Sequence, residues 1–136
     1  MAHVLVNLDV DDIARAVRFY TEGLDLHVGR RFRGGFVELL GAQAPIYLLL
    51  KAAGSEPFSG AESSRLYSRH WTPVHLDFVV SDIHAAVARA VAAGASLEQS
   101  PEAAPYGHLA LLSDPFGNGF CLLQLTGKGY GELPLE

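Results

Sequence analysis

A ten-residue pattern occurs twice in this chain, at residues 3–12 and again at residues 73–82. Each copy alternates apolar and mixed positions, which is the period-2 pattern of a strand with one buried face. Each copy then passes through an acidic helix-start signal into a segment whose apolar residues follow helical spacing. The chain is therefore an internal duplication, and we expect its function where the two mixed faces meet.

The alternation assigns the residues of each copy to opposite faces of its strand. The apolar residues predicted to be buried are Val4, Val6, Leu8, Val10, Val74, Leu76, Phe78 and Val80. The mixed face carries Leu5 and Asn7 in the first copy and His75 and Asp77 in the second. These four side chains are the first candidates for a binding site.

The rest of the pattern predicts two βαβββ modules in one α+β domain over residues 1–136. Module one covers about residues 3–51, with a helix at about 12–22 and further strands at about 27–32, 36–40 and 46–51. Module two covers about residues 73–126, with strands at about 97–99, 108–112 and 119–125 after its helix. Residues 52–72 are predicted to be a linker and residues 127–136 a loose tail. Trp71, at the end of the linker, either anchors it to the sheet or walls a pocket.

Composition excludes several classes of partner. The net charge is −5 and the basic residues are scattered, so we expect no nucleic-acid partner. No apolar run approaches the roughly 20 residues that span a bilayer, so we expect no membrane partner. Cys121 is the only cysteine, which rules out an intrachain disulfide and fits a reducing compartment. With no leader pattern at the start, we expect a cytoplasmic protein.

Two local motifs accompany the duplicated modules. One is the end of the first predicted helix, with Phe19, Tyr20 and Leu24, and the other is the turn from Asp114 to Asn118. Together with the two βαβββ copies, they resemble the vicinal-oxygen-chelate superfamily over about residues 3–126. This superfamily includes glyoxalase I, extradiol dioxygenases, bleomycin-resistance proteins and fosfomycin-resistance enzymes. The resemblance implies a half-open mixed β-barrel with helices outside, a cleft in the sheet and a homodimer.

The resemblance also implies where a metal would bind. Metal-dependent members take ligands from the first and last strands of each module, and the matching positions here are Leu5, Tyr47, His75 and Cys121. Leu5 has no donor atom, and a catalytic ion needs about three protein ligands. We therefore expect no metal and no other cofactor, although Glu38 and His108 remain alternative ligands on interior strands.

The same residues suit a metal-free pocket for a small organic molecule, since ligand sites are mostly apolar with a few oriented polar groups. The predicted lining is Leu5, Asn7, Tyr47, His75, Asp77 and Cys121. His75 and Asp77 are the candidates for acid–base catalysis, or they form a structural pair. The alternative function is a metal-dependent lyase, isomerase or dioxygenase with a non-standard site. Whether the protein is an enzyme stays open at this stage.

Overall fold

The structure, a computed structural model, describes all 136 residues. The chain divides into two compact units, Met1–Ser68 and Arg69–Glu136, which are described in turn. No helix in either unit combines the length and apolar character needed to span a membrane.

The first unit is a βαβββ module with one four-stranded sheet. Its elements are β1 (Val6–Val10), α1 (Ile13–Arg18), a π-helical turn (Phe19–Gly23), β2 (His27–Phe32), β3 (Phe36–Leu40) and β4 (Ile46–Leu50). The sheet order is β1-β4-β3-β2, with β1 parallel to β4 and the other pairs antiparallel. Helix α1 packs against β4, so the sheet has one face covered by the helix and one face without it.

The second unit repeats this plan, which confirms the predicted α+β class and the two βαβββ modules. Its elements are β5 (Leu76–Val79), α2 (Ile83–Ala92), β6 (Ser96–Ala104), β7 (Gly107–Ser113), β8 (Gly119–Leu125) and a 3-10 turn (Gly129–Glu132). The sheet order is β5-β8-β7-β6, again with one parallel pair, and neither sheet closes on itself.

Both helices begin within the acidic helix-start signals of the duplicated pattern, and in each an aspartate caps the helix. Asp12 accepts a hydrogen bond from the amide of Arg15 at 2.9 Å, and Asp82 accepts one from the amide of Ala85 at 3.1 Å. Each carboxylate satisfies an amide proton that has no partner within the first helical turn. Asp25 has a positive φ of 59°, so the chain takes a left-handed conformation just after the π-helical turn that ends at Gly23.

The strands depart from the predicted pattern at their ends. Val4 and Val74 were predicted to be buried, but they are 67% and 78% exposed. Val6 pairs with Ile46, the first residue of β4, so Val4 extends beyond the end of its neighbouring strand. Likewise Leu76 pairs with Phe120, one residue after β8 begins, and Val74 extends beyond that end. The faces of the strands are as predicted only where a partner strand is present.

Strand β6 is much longer than the predicted 97–99, since it runs from Ser96 to Ala104. Its pairing with β7 continues to Ala104 opposite Gly107, through two register shifts. Pro101 does not stop the strand, because β6 is at the edge of its sheet and a proline there removes no ladder hydrogen bond that the sheet needs.

The turn between β7 and β8 is built around the buried carboxylate of Asp114, which is only 4% exposed. This carboxylate accepts hydrogen bonds from the amide of Phe116 at 2.8 Å, the amide of Asn118 at 3.0 Å and the Asn118 side-chain amide at 2.9 Å. Asn118 in turn contacts the His70 ring, Nε2 to Oδ1 at 2.9 Å. The turn therefore holds the segment that begins the second unit.

Much of the predicted linker packs on the first unit. The Arg65 guanidinium contacts the Asp9 carboxylate at 2.8 Å, and the Tyr67 hydroxyl donates to the carbonyl of Lys51 at 2.7 Å. The backbones of Gly54 and Arg65 are also hydrogen bonded to each other at 2.8 Å. Up to Ser68, this segment is a structured part of the first unit.

Candidate functional site

On the helix-free face of the first unit, a polar row crosses three strands. Asn7 of β1 lies opposite Tyr47 of β4, which lies opposite Glu38 of β3. The Tyr47 hydroxyl donates to Glu38 Oε2 at 3.0 Å, and Arg30 of β2 contacts the same oxygen at 2.6 Å. Gly29 makes room for this carboxylate, since a Cβ there would lie 2.6 Å from Glu38 Oε1.

This network keeps Glu38 ionised. Hydrogen bonds from Arg30 are the main cause, and the Tyr47 hydroxyl adds to them, so that the pKa of Glu38 falls from 4.5 to about 2 although burial opposes the shift. The pKa of Arg30 is raised by the same pairing. Glu38 was an alternative metal ligand in the sequence analysis. In the structure its carboxylate is instead hydrogen bonded to the Arg30 guanidinium and the Tyr47 hydroxyl.

We expect the Glu38 network to give this protein a specific loss of stability in acid. A lowered pKa in the folded state stabilises the fold above pH 4.5, and the contribution disappears as the pH falls from about 4.5 to about 2. Glu38→Gln should lower the melting temperature at pH 7 and reduce its further fall between pH 5 and pH 2.5. Thermal unfolding across this range measures both effects. Glu62→Gln, at an exposed glutamate, is the control, and its melting temperatures should follow those of the wild type. If the melting temperature of Glu38→Gln fell with pH in parallel with that of the wild type, the prediction would be contradicted.

On the helix-free side of the second unit, three predicted site residues come together. Asp77 of β5 lies opposite Cys121 of β8, and His75 comes two residues before Asp77. His75 Nε2 is 3.2 Å from Asp77 Oδ1, and the donor atoms of all three residues lie within 4.8 Å of one another. His108 is not part of this cluster. Leu111 of β7 lies opposite Cys121, and His108 is an odd number of positions away from it on the same strand, so His108 belongs to the other face of the sheet.

The Cys121 thiol is neutral at physiological pH. Burial is the main cause, and the charge and hydrogen bond of Asp77 add to it, so that the pKa of Cys121 rises from 9.0 to about 11. The reactive form of cysteine is the thiolate, so this environment does not favour a nucleophile. Asp77 is thus near both other groups: its carboxylate is 3.2 Å from the imidazole and is the hydrogen-bond partner of the thiol.

The donor set of His75, Asp77 and Cys121 can also hold a metal ion. Zn²⁺ accepts a thiolate, an imidazole and a carboxylate in tetrahedral geometry, with a fourth position left open in catalytic sites. Binding an ion here would first have to remove the proton from Cys121. Leu5, at the position matching His75, has no ligand atom to offer.

A pocket of about 200 Å³ lies beside this cluster. It is lined by Arg69, Trp71, Thr72, His75, Leu111, Gly119 and Cys121. Trp71 is 79% exposed, so it walls the pocket and does not anchor the linker to the sheet. Four lining residues were not predicted. Leu111 could have been found by strand parity, but Arg69 and Thr72 lie in a segment without periodicity.

The six predicted lining residues therefore divide between the two units. In the second unit, His75 and Cys121 line the pocket, whereas Asp77 contacts His75 and lies opposite Cys121 but does not line the pocket. In the first unit, Asn7 and Tyr47 are neighbours across β1 and β4, whereas Leu5 precedes β1 and is exposed. Contact of these six residues with a ligand stays a prediction.

Comparison with known proteins agrees with the duplicated fold. Each unit has the plan β-α-β-β-β with one parallel pair of strands, as the resemblance to the vicinal-oxygen-chelate superfamily implied. Residues 5–123 match the family described as glyoxalase-like domain, and the chain belongs to that family.

Two solved structures illustrate the range of proteins with this fold. The fosfomycin resistance protein FosX from Listeria monocytogenes has a TM-score of 0.71 at 15% identity, covering 96% of each chain. TnmS3, an antibiotic binding protein from Streptomyces sp. CB03234, has a TM-score of 0.64 at 25% identity, covering 93% of this chain and 98% of that one. The first likeness concerns the fold alone.

Among curated proteins, the chain is similar to the anthracycline biosynthesis protein DnrV of Streptomyces peucetius. The two are 32% identical over 128 residues, which is 92% of this chain and 42% of DnrV. The chain thus spans about two fifths of the length of the curated relatives it matches.

Proposed function

We propose that this protein binds a small organic molecule in the pocket of the second unit and needs no metal to do so. The observation that carries the proposal is the pocket itself, in which an exposed indole, an imidazole and a buried thiol face one space. Apolar walls with a few oriented polar groups are the usual composition of a ligand site. Asp77 already contacts the His75 imidazole and the Cys121 thiol, which supports a pocket that needs no ion.

The relatives suggest which molecules to try first. One takes part in anthracycline biosynthesis and another binds an antibiotic. We therefore propose an aromatic natural product of the anthracycline type as the first ligand to test. That the chain forms a homodimer in the cytoplasm stays part of the proposal.

The pocket contains the only tryptophan of the chain, so binding can be followed directly. Adding an anthracycline should quench the Trp71 fluorescence saturably with one site per chain, and prior treatment with EDTA should leave the affinity unchanged. N-acetyltryptophanamide at equal absorbance corrects for light absorbed by the ligand. Fluorescence quenching no greater than in this control, together with no heat of binding in calorimetry, would refute binding of this ligand class.

A metal-dependent lyase, isomerase or dioxygenase is the second candidate, because three donor atoms lie within 4.8 Å of one another. Metal analysis of protein purified without a histidine tag separates the two functions. Well under one equivalent of Zn, Ni, Mn or Fe is the result that the first proposal requires. A stoichiometric ion that is lost in Cys121→Ser would instead favour the enzyme.

A further inference from the structure

We infer that the pocket of the second unit selects flat aromatic ligands, because three planar side chains line it. These are the guanidinium of Arg69, the indole of Trp71 and the imidazole of His75. The inference rests on the proposed function and adds to it how the pocket recognises a ring: by stacking it on planar side chains.

The guanidinium of Arg69 is held in one orientation. Its Nε lies 2.6 Å from Glu98 Oε2 and its Nη2 lies 3.0 Å from Glu98 Oε1, while Nη1 donates to the carbonyl of His70. Three N–H groups of Arg69 therefore donate hydrogen bonds in the plane of the guanidinium, and the carboxylate of Glu98 balances its charge. What Arg69 still offers is chiefly the face of a planar cation, which stacks well on aromatic rings.

Gly119 is the residue that admits Arg69 to the pocket wall. A Cβ at position 119 would lie 2.6 Å from Nη2, 3.0 Å from Cζ and 3.1 Å from Nη1 of Arg69. Gly119 precedes Cys121 by two residues on β8, so this space belongs to the helix-free face of the sheet. The guanidinium thus fills the place that a side chain of the strand would otherwise take.

Trp71 is held close to Arg69 by the residue between them. The His70 amide donates to the carbonyl of Gly117 at 3.1 Å, and the His70 ring contacts Asn118, so this segment is attached to the β7–β8 turn. Despite this attachment, the Trp71 side chain stays largely exposed. The backbone that carries Trp71 is therefore attached to the turn, and an exposed indole beside a fixed guanidinium offers a surface on which an aromatic ring can stack.

A matched pair of ligands tests this inference. 2-Naphthol is flat and aromatic, whereas decahydro-2-naphthol has the same carbon skeleton and hydroxyl group but is saturated and puckered. Ligand-observed NMR titration should show that 2-naphthol binds at least about tenfold more tightly, as expected for one aromatic and one cation–π contact. Equal binding of the two would overturn the inference and leave the proposed function standing. If neither these ligands nor an anthracycline bound, both would fail.

Arg69→Lys separates the planar shape of the cation from its charge. The variant should weaken 2-naphthol binding about fivefold and leave decahydro-2-naphthol binding unchanged, so the ratio of the two affinities falls. A merely structural role of Arg69 would lower both affinities together and leave the ratio intact. Arg33→Lys, at an exposed arginine of the first unit, is the control and should change neither affinity. An unchanged ratio in Arg69→Lys would overturn the assignment of this residue.

Discussion

Replacing Asp114 by alanine should lower the free energy of unfolding by about 2–4 kcal/mol, the largest stability effect we expect from a single polar side chain here. The buried carboxylate accepts three hydrogen bonds from Phe116 and Asn118. Removing it leaves these donors without an acceptor inside a buried turn. Urea unfolding at neutral pH measures the loss.

Asp82→Ala is the matched control for Asp114. It removes an aspartate that accepts one exposed backbone hydrogen bond at the start of α2, so it should cost only about 1 kcal/mol. Asp114→Asn, which keeps one acceptor oxygen, should lie between the two. If Asp114→Ala cost no more than Asp82→Ala, the turn would not depend on the buried carboxylate.

Replacing His75 by alanine should weaken ligand binding at least about tenfold and change the stability by less than about 0.5 kcal/mol. The imidazole lines the pocket and contacts Asp77, yet its side chain is 54% exposed, so the fold gains little from its burial. Quenching of Trp71 fluorescence by an anthracycline measures the first effect, and urea unfolding measures the second.

His84→Ala is the control for His75, because His84 is an exposed histidine of α2 that does not line the pocket. It should change neither quantity. Equal affinities of His75→Ala and the wild type would remove His75 from the binding site. A large loss of stability in His75→Ala would instead show that the His75–Asp77 pair is structural.

His75, just before β5, lies on the face of the strand that the alternation in the sequence predicted. Alternation in the sequence predicted that His75 and Asp77 lie on one face of their strand, opposite Leu76 and Phe78. In the structure the two polar residues contact each other, while Leu76 and Phe78 are more buried than their neighbours. Parity worked here because β5 is paired with β8, a strand that packs against α2. It failed at Val74, where the partner strand has already ended.

The pocket wall shows what could not be predicted from the chain alone. Arg69 and Trp71 lie in a segment with neither helical nor strand periodicity, and Trp71 had two opposite interpretations. Its exposure depends on contacts of His70 with Gly117 and Asn118, nearly fifty residues further along the chain. The place of Arg69 depends on Glu98 and on the missing side chain of Gly119.

The sequence by itself determined the duplicated βαβββ plan, the helix starts at the acidic end of each copy and the turn at Asp114. Each of these depends on side-chain spacing or on hydrogen bonds within a few residues, so local chemistry is enough to specify it. Only the tertiary structure decided the length of β6, the pairing of Glu38 with Arg30 and Tyr47, and the planar groups around the pocket. These depend on which distant segments become neighbours, and packing between elements settles that only when the chain is folded.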